Sequence, residues 1–318
     1  MEDRFGRKIK YLRLSVTDRC NLRCRYCMPE EGVSKLAHQS ILSMEDYAKL
    51  VDTFVELGVE KVRLTGGEPL VRKGLINLIE HIGKNPKVKD LAMTTNGILL
   101  AEQAEALKRA GLNRVNVSLD TMNPLKFAHM TRGGNLNQVL DGLKEARRVG
   151  LTPIKLNIVL VGGFNENEIE KFVEMTMDEE IDVRFIELMP IGEVATWSAS
   201  QFLPNDVILE RVPGLVPVAG TDPSSPARYY ALPGAKGKVG LISPISCKFC
   251  SNCNRVRLTA EGKLKYCLHA DEEVDLRPFL NDETALRETI EHYVFQKPEA
   301  HHIGIGTTVK RNMFQVGG

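Results

Sequence analysis

The sequence predicts an α/β protein with a parallel sheet, joined to a smaller C-terminal part that contains β structure. Three observations carry this. From residue 11 to about 190, six strand-like runs alternate with five helical patterns. After Pro190 the texture changes to a stretch rich in Pro and Gly with only short β-like pieces. The seven cysteines fall into two tight groups, one in each part. Strict β–α alternation argues for parallel pairing, because parallel neighbours need a crossover connection between them. An incomplete barrel and an open doubly wound sheet both satisfy the pattern, and the pattern alone does not choose.

The elements follow in chain order. Tyr11–Val16 reads as the first strand. Ser43–Leu57 places Met44, Tyr47, Leu50, Val51 and Phe54 at helical spacing, with a capping-box pair Ser43/Asp46 and a stop at Gly58. Strand Lys61–Thr65 and a helix over Leu75–Ile82 come next. Strand Leu91–Thr94 ends at Asn96-Gly97, and helix Ala101–Ala110 stops at Gly111. Strand Val115–Ser118 leads to helix Leu136–Val149, strand Ile154–Val161 to helix Glu166–Met177, and strand Val183–Leu188 closes the series. Beyond it, Tyr229–Leu232 and Lys238–Ile242 are β-like. A boundary near 215 gives an N-terminal part over 1–215 and a C-terminal part over 216–318.

Bulk properties exclude several classes. The chain has 318 residues, 43% hydrophobic and 26% charged, enough for a sizeable core without disulfides. A formal net charge of +1 provides no global basic field for nucleic acid or an anionic membrane. No apolar run approaches the length of a membrane span, and the first residues lack the apolar core of a secretory signal. The expected compartment is the cytoplasm. Seven cysteines, an odd number in two clusters, then read as metal or cluster ligands rather than a disulfide framework.

The first group is Cys20-Asn-Leu-Arg-Cys24-Arg-Tyr-Cys27, a CxxxCxxC spacing. Three thiolates on one loop can each bind one iron of a 4Fe-4S cluster, which leaves one iron open to a small molecule, whereas electron-carrier clusters have four cysteine ligands. The alternative is zinc, but zinc loops favour CxxC pairs with a second pair or a His partner further on. Basic residues supply a second clue. Lys61 and Arg63 share one strand face, and Arg13, Lys155 and Arg184 sit within other predicted strands. Parallel strands covered by helices are normally apolar runs, so these cations need either an anionic ligand such as phosphate or buried acids such as Glu187. Thr65-Gly66-Gly67-Glu68-Pro69 follows the second strand. Its paired glycines let the backbone approach a ligand closely, and Glu68 can accept from an amino group.

With CxxxCxxC, Gly-Gly-Glu-Pro and six βα-type strands in one chain, the sequence resembles the radical S-adenosylmethionine (SAM) superfamily. The resemblance implies an incomplete TIM-like (βα)6 barrel with a smaller C-terminal cluster-binding extension. It implies that the open iron chelates the amino and carboxylate groups of SAM, and that reduction splits SAM into methionine and a 5′-deoxyadenosyl radical. It also places Tyr26 against the cluster and SAM, with Gly67, Ser118 and Met189 at strand ends that contact SAM.

A second triad narrows the resemblance. Phe249-Cys250-Ser-Asn-Cys253-Asn254-Arg255-Val-Arg257-Leu258-Thr259, followed by Cys267-Leu268, is similar to the GTP 3′,8-cyclases of molybdenum cofactor biosynthesis. So are Phe5-Gly6-Arg7 through Cys27-Met28-Pro29, Ile186-Glu187-Leu188-Met189-Pro190 and the C-terminal Gly317-Gly318. This implies two 4Fe-4S clusters, the second on Cys250, Cys253 and Cys267 with an open iron that holds guanine. It implies GTP contacts from Arg13, Arg63, Thr94, Lys155, Arg255 and Arg257, with Lys61 and Arg184 as additions. Catalytic roles fall to Arg255, Arg257 and the Gly317-Gly318 tail, which reaches into the site. The implied partners are GTP, an electron donor of unknown identity and, downstream, a pyranopterin monophosphate synthase; a homodimer is compatible. Two departures stand out: Cys247 forms an extra CxxC with Cys250 and is expected to be a buried structural thiol, the alternative being a fourth ligand that closes the second cluster, and His269 occupies an aromatic position and is expected to be packed or solvated. His301 and His302 are not expected to be ligands.

Overall fold

The computed structural model describes residues 1–32, 40–192, 200–220, 222, 224–303 and 309–317. Six parallel strands form its centre in sequence order: β1 (Tyr11–Ser15), β2 (Lys61–Thr65), β3 (Asp90–Thr95), β4 (Arg114–Ser118), β5 (Ile154–Leu160) and β6 (Ile181–Glu187). Helices α1 (Met44–Glu56), α2 (Leu75–Gly83), α3 (Leu100–Arg109), α4 (Pro124–Thr131), α5 (Leu136–Arg148) and α6 (Ile169–Asp178) connect them. The expected capping box is formed: Ser43 Oγ accepts from Asp46 N at 3.0 Å and Asp46 Oδ2 accepts from Ser43 N at 3.2 Å. Helix α4 was not expected from periodicity; Asn123 caps it by accepting from Leu125 N and Lys126 N, with Pro124 in its first turn.

The C-terminal part continues this sheet at both ends. After α7 (Asp206–Arg211) come β7 (Val216–Pro217), β8 (Ala227–Ala231) and β9 (Val239–Ile242); β9 pairs parallel with β6. Then β10 (Arg255–Leu258) pairs parallel with β1, at the opposite end of the series. β11 (Lys263–Lys265) and β12 (Val274–Asp275) add antiparallel strands beyond β10, and β8 and β7 do so beyond β9. The run 243–254 therefore crosses from one end of the parallel series to the other, and it carries Cys247, Cys250 and Cys253. Helix α8 (Glu283–Phe295) and the short α9 (Met313–Val316) follow.

Alternation along the strands divides the molecule into two layers. Leu12, Leu14, Val62, Leu64, Ile154, Leu156 and Ile158 are buried against the helices, where they meet Phe54, Leu78, Ile79, Leu107, Val139 and Phe172 in one continuous core. The intervening residues face the other way and line a cavity. That concave layer positions the chemistry.

Candidate active site

The strand register builds the cavity wall in rows. Arg257 of β10 pairs with Arg13 of β1, which pairs with Arg63 of β2, so three guanidinium groups sit on adjacent strands at one level. The row nearer the strand starts is Arg255, Tyr11, Lys61 and Asp90. On the far side Ser118, Asn157 and Arg184 form another row. Arg13, Arg63, Arg184, Arg255 and Arg257 all line one cavity of about 320 Å³, with Thr94, Ser118 and Met189.

The two lysines behave differently. Lys61 pairs with Asp222 at 2.5 Å, and Lys155 pairs with Asp182 at 3.3 Å beside the Tyr229 ring. Neither lines the cavity. Glu187, considered as a partner for such cations, instead accepts from the backbone N–H groups of Ile245 and Ser246, both at 3.0 Å. The strand-borne cations that line the cavity are thus arginines. The Nε atoms of Arg63 and Arg184 are buried without a hydrogen-bond partner among the described residues. Burial pulls Arg63 down to about 10, and it pulls Arg257 down to about 10 with Arg255 adding to the effect. Arg13 falls well below the usual range, through burial and then the neighbouring Arg257. Breaking a buried ion pair costs on the order of 3–5 kcal/mol because it leaves a charge uncompensated; the open Nε–H groups of Arg63 and Arg184 can donate to an anionic ligand in the cavity.

Both cysteine triads open onto the same cavity. Cys20, Cys24 and Cys27 come from one loop after β1; Cys250, Cys253 and Cys267 come from the crossing run and the residues after β11. All six are free thiols. Three soft sulfur donors in each set, none in a disulfide and all lining one cavity, fit a cluster ligated three times by the protein at each end. Gly66 and Gly67 turn out to serve the first loop. A Cβ on Gly67 would lie 2.3 Å from Arg19 O and one on Gly66 2.5 Å from Thr17 O, while Gly67 N and Glu68 N donate to Thr17 O and Arg19 O at 2.8 Å. The close approach is therefore between the glycine turn and the backbone of the cysteine loop. Gly67 still lines the cavity; Glu68 lies behind it, fully buried, accepting from Leu70 N, Thr95 Oγ1 and Asn96 N. Burial pushes Glu68 up to about 7 against the pull of those donors.

Tyr26 lines the cavity and donates to Asp120 Oδ2 at 2.8 Å, while Asp120 Oδ1 accepts from Val159 N at 2.8 Å. Burial raises Asp120 to about 6. At the C-terminus, α9 delivers Gly317 between the strand ends. With φ of +72° and a Cβ position 2.0 Å from Thr65 Oγ1, no other residue fits there. Arg257 donates to the carbonyls of Val316, at 3.2 Å, and of Gly317. Gly318 lies outside the described residues.

Cys247 is exposed and does not line the cavity, which corrects the expectation of a buried thiol. His269 packs as expected, with its ring 4.2 Å from that of His301 and its Nε2 3.3 Å from Met189 Sδ. Both histidines line the cavity, and burial lowers His269 to about 3. Sequence reading missed Tyr11 and Lys297. The Tyr11 ring lies under Arg63 and Arg255, at 5.3 and 5.7 Å, with its buried hydroxyl lacking a hydrogen-bond partner among the described residues; its place two residues before Arg13 was the available signal.

Comparison with known proteins shows the family. Residues 14–176 match the model of the radical SAM superfamily, and residues 181–303 match that of molybdenum cofactor synthesis C. The chain is 55% identical to a GTP 3′,8-cyclase of Peptoclostridium acidaminophilum, over 99% of this chain and 98% of the relative. It is 51% identical to a GTP 3′,8-cyclase of Alkaliphilus oremlandii over the full length of both. Among solved structures, Streptococcus suis SuiB bound to the precursor peptide SuiA superposes with a TM-score of 0.61 at 14% identity, covering 90% of this chain and 67% of that one, a likeness of fold alone.

Proposed function

The chain belongs to the radical SAM superfamily and, within it, to the GTP 3′,8-cyclases, and from that premise we propose how its cavity converts GTP to (8S)-3′,8-cyclo-7,8-dihydro-GTP, the first step of molybdenum cofactor biosynthesis. The observation that carries the reading is the arginine-lined layer lying in one cavity with both cysteine triads. Cys20, Cys24 and Cys27 hold the first 4Fe-4S cluster, and Cys250, Cys253 and Cys267 the second. When bound with SAM, the first cluster supplies the electron that splits SAM to methionine and a 5′-deoxyadenosyl radical. Tyr26, Gly67, Ser118 and Met189 seat SAM. Glu68 acts at one remove, fixing the glycine turn against the cysteine loop.

Arg13, Arg63, Arg184 and Thr94 hold the triphosphate, each guanidinium offering several donors to phosphate oxygens. Arg255 and Arg257 lie toward the second triad and orient the nucleotide between the two ends. Lys61 and Lys155, neutralised by Asp222 and Asp182, support the rim of the phosphate site. Gly317, with Gly318 after it, forms the tail that acts at the reacting ribose, and Arg257 fastens Gly317. The hydrogen atom on the ribose 3′ carbon passes to the 5′-deoxyadenosyl radical to give 5′-deoxyadenosine, the 3′ carbon bonds to carbon 8 of guanine, and one electron from the donor with one proton completes the 7,8-dihydro ring. The two parts share the substrate: 1–215 makes the radical and holds the triphosphate, and 216–318 orients the nucleotide from the second triad.

Among the described residues, no helix is long and apolar enough to cross a membrane; the proposed location is the cytoplasm. The proposed partners beyond GTP are a one-electron donor, a pyranopterin monophosphate synthase that takes the product, and a second copy of the chain. The direct test incubates the reconstituted, reduced protein anaerobically with SAM and GTP. Formation of 5′-deoxyadenosine together with a cyclised nucleotide is expected. SAM cleavage that ignores GTP and leaves it intact would sink the reading.

A further inference from the structure

Lys297 follows α8 and is buried, 2% exposed. Its Nζ donates to Arg255 O at 3.1 Å and to Tyr266 O. Both partners are neutral carbonyls, and no described carboxylate pairs with it. An ammonium has three donors, so one remains, and Lys297 lines the cavity beside the second triad. A buried cation without a carboxylate needs another anion nearby. Its neighbours Tyr266 and Arg255 lie directly next to Cys267 and two residues from Cys253.

We propose that Lys297 is the counter-cation of the second cysteine triad, and that its charge sets the reduction potential of the cluster held there. The inference rests on the two-cluster reading above. A cluster on three thiolates is anionic, and reduction adds one more negative charge. A fixed positive charge in a buried site therefore favours the reduced form.

The amine is held in place from both sides. Lys297 N donates to Val294 O at 3.0 Å. Arg7 donates to Pro298 O at 2.6 Å and Glu299 O at 2.9 Å, and the same guanidinium reaches Cys250 O at 2.7 Å. One arginine thus ties the segment bearing the cation to the loop bearing a ligand.

The test compares wild type, Lys297→Gln and Lys297→Arg after anaerobic reconstitution, by iron content and by potentiometric titration followed by EPR. The second cluster is identified as the signal that GTP perturbs. Its transition is expected at a more negative potential in the Gln variant and at the wild-type value in the Arg variant, with the SAM-perturbed signal unmoved in both. Loss of about half the iron in Gln but not Arg, against about eight irons from two four-iron clusters, would equally show that the charge is required. Two results overturn the proposal: a Gln variant that matches wild type, or Gln and Arg variants altered alike, which would make the amine only a strut between two carbonyls. Wild type that takes up four irons and shows no GTP-perturbed signal would count instead against the two-cluster reading.

Discussion

The two cysteine triads differ in how they are built and in the charge around them. Cys20, Cys24 and Cys27 occupy one loop, pinned by the Gly66-Gly67 turn through hydrogen bonds from Gly67 and Glu68. Its thiols are pushed up by burial, Cys27 to about 12 with Cys20 and then Asp120 adding to it. Cys250, Cys253 and Cys267 come from two separated segments, tied together by Arg7 and Lys297. There burial is opposed by Lys297, Arg255 and Arg257. A local loop next to a carboxylate suits a site that must deliver an electron to a bound cofactor. A cation-rich site assembled from distant segments suits one that receives an anionic nucleotide.

The largest expected effect breaks the first triad. Cys24→Ser should lose about four of about eight irons and bring SAM cleavage down to background, with or without GTP, read by iron assay and 5′-deoxyadenosine. Gly317→Ala comes next. The new Cβ collides with Thr65, and φ of +72° is unfavourable for alanine. A strain of about 1–3 kcal/mol corresponds to roughly a 5- to 150-fold loss of cyclised product, with iron content intact. Arg63→Gln removes charge-assisted hydrogen bonds of about 1.5–3 kcal/mol and should raise KM for GTP by roughly 10- to 150-fold, leaving SAM binding unchanged. Lys61→Gln and Lys155→Gln break partly exposed ion pairs outside the cavity; at about 0.2–1 kcal/mol for such pairs, their KM effects should stay within about fivefold. Equal losses for Arg63 and the two lysines would erase the distinction between cavity wall and rim.

A smaller effect concerns the support of the first loop. Glu68 titrates at about 7 in the fold because of burial, above its ordinary value of 4.5. A raised carboxyl binds its proton more tightly when folded, so its contribution is present below about pH 4.5 and lost as pH rises through about 7. The thermal midpoint of wild type should therefore fall between pH 5 and 8 by more than that of Glu68→Gln. Identical slopes would show that Glu68 stays ionised across this range.

Much of this was legible in the sequence. The first triad, the six central strands and the Gly-Gly turn depend on spacing between near neighbours, and linear patterns report such spacing directly. The pairing of β10 with β1 did not show, because a four-residue strand carries no register information and its partner lies over 200 residues away; yet that register aligns Arg257 with Arg13 and Arg63. Arginine and lysine could not be separated either. Lys61 and Arg63 share one strand face, but Lys61 lies one row nearer the strand start, where Asp222 meets it. Lys297 left no trace, since it follows a helix whose pattern ends before it.

The central claim is that two triads with different tasks face one cavity. It is tested most directly by quantifying 5′-deoxyadenosine and cyclised nucleotide in the same samples, from wild type and Cys253→Ser, with GTP deuterated at the ribose 3′ carbon. Wild type should form both products and carry the deuterium into 5′-deoxyadenosine. Cys253→Ser should still cleave SAM while forming no cyclised nucleotide. Cyclised product at the wild-type level from Cys253→Ser would contradict the account.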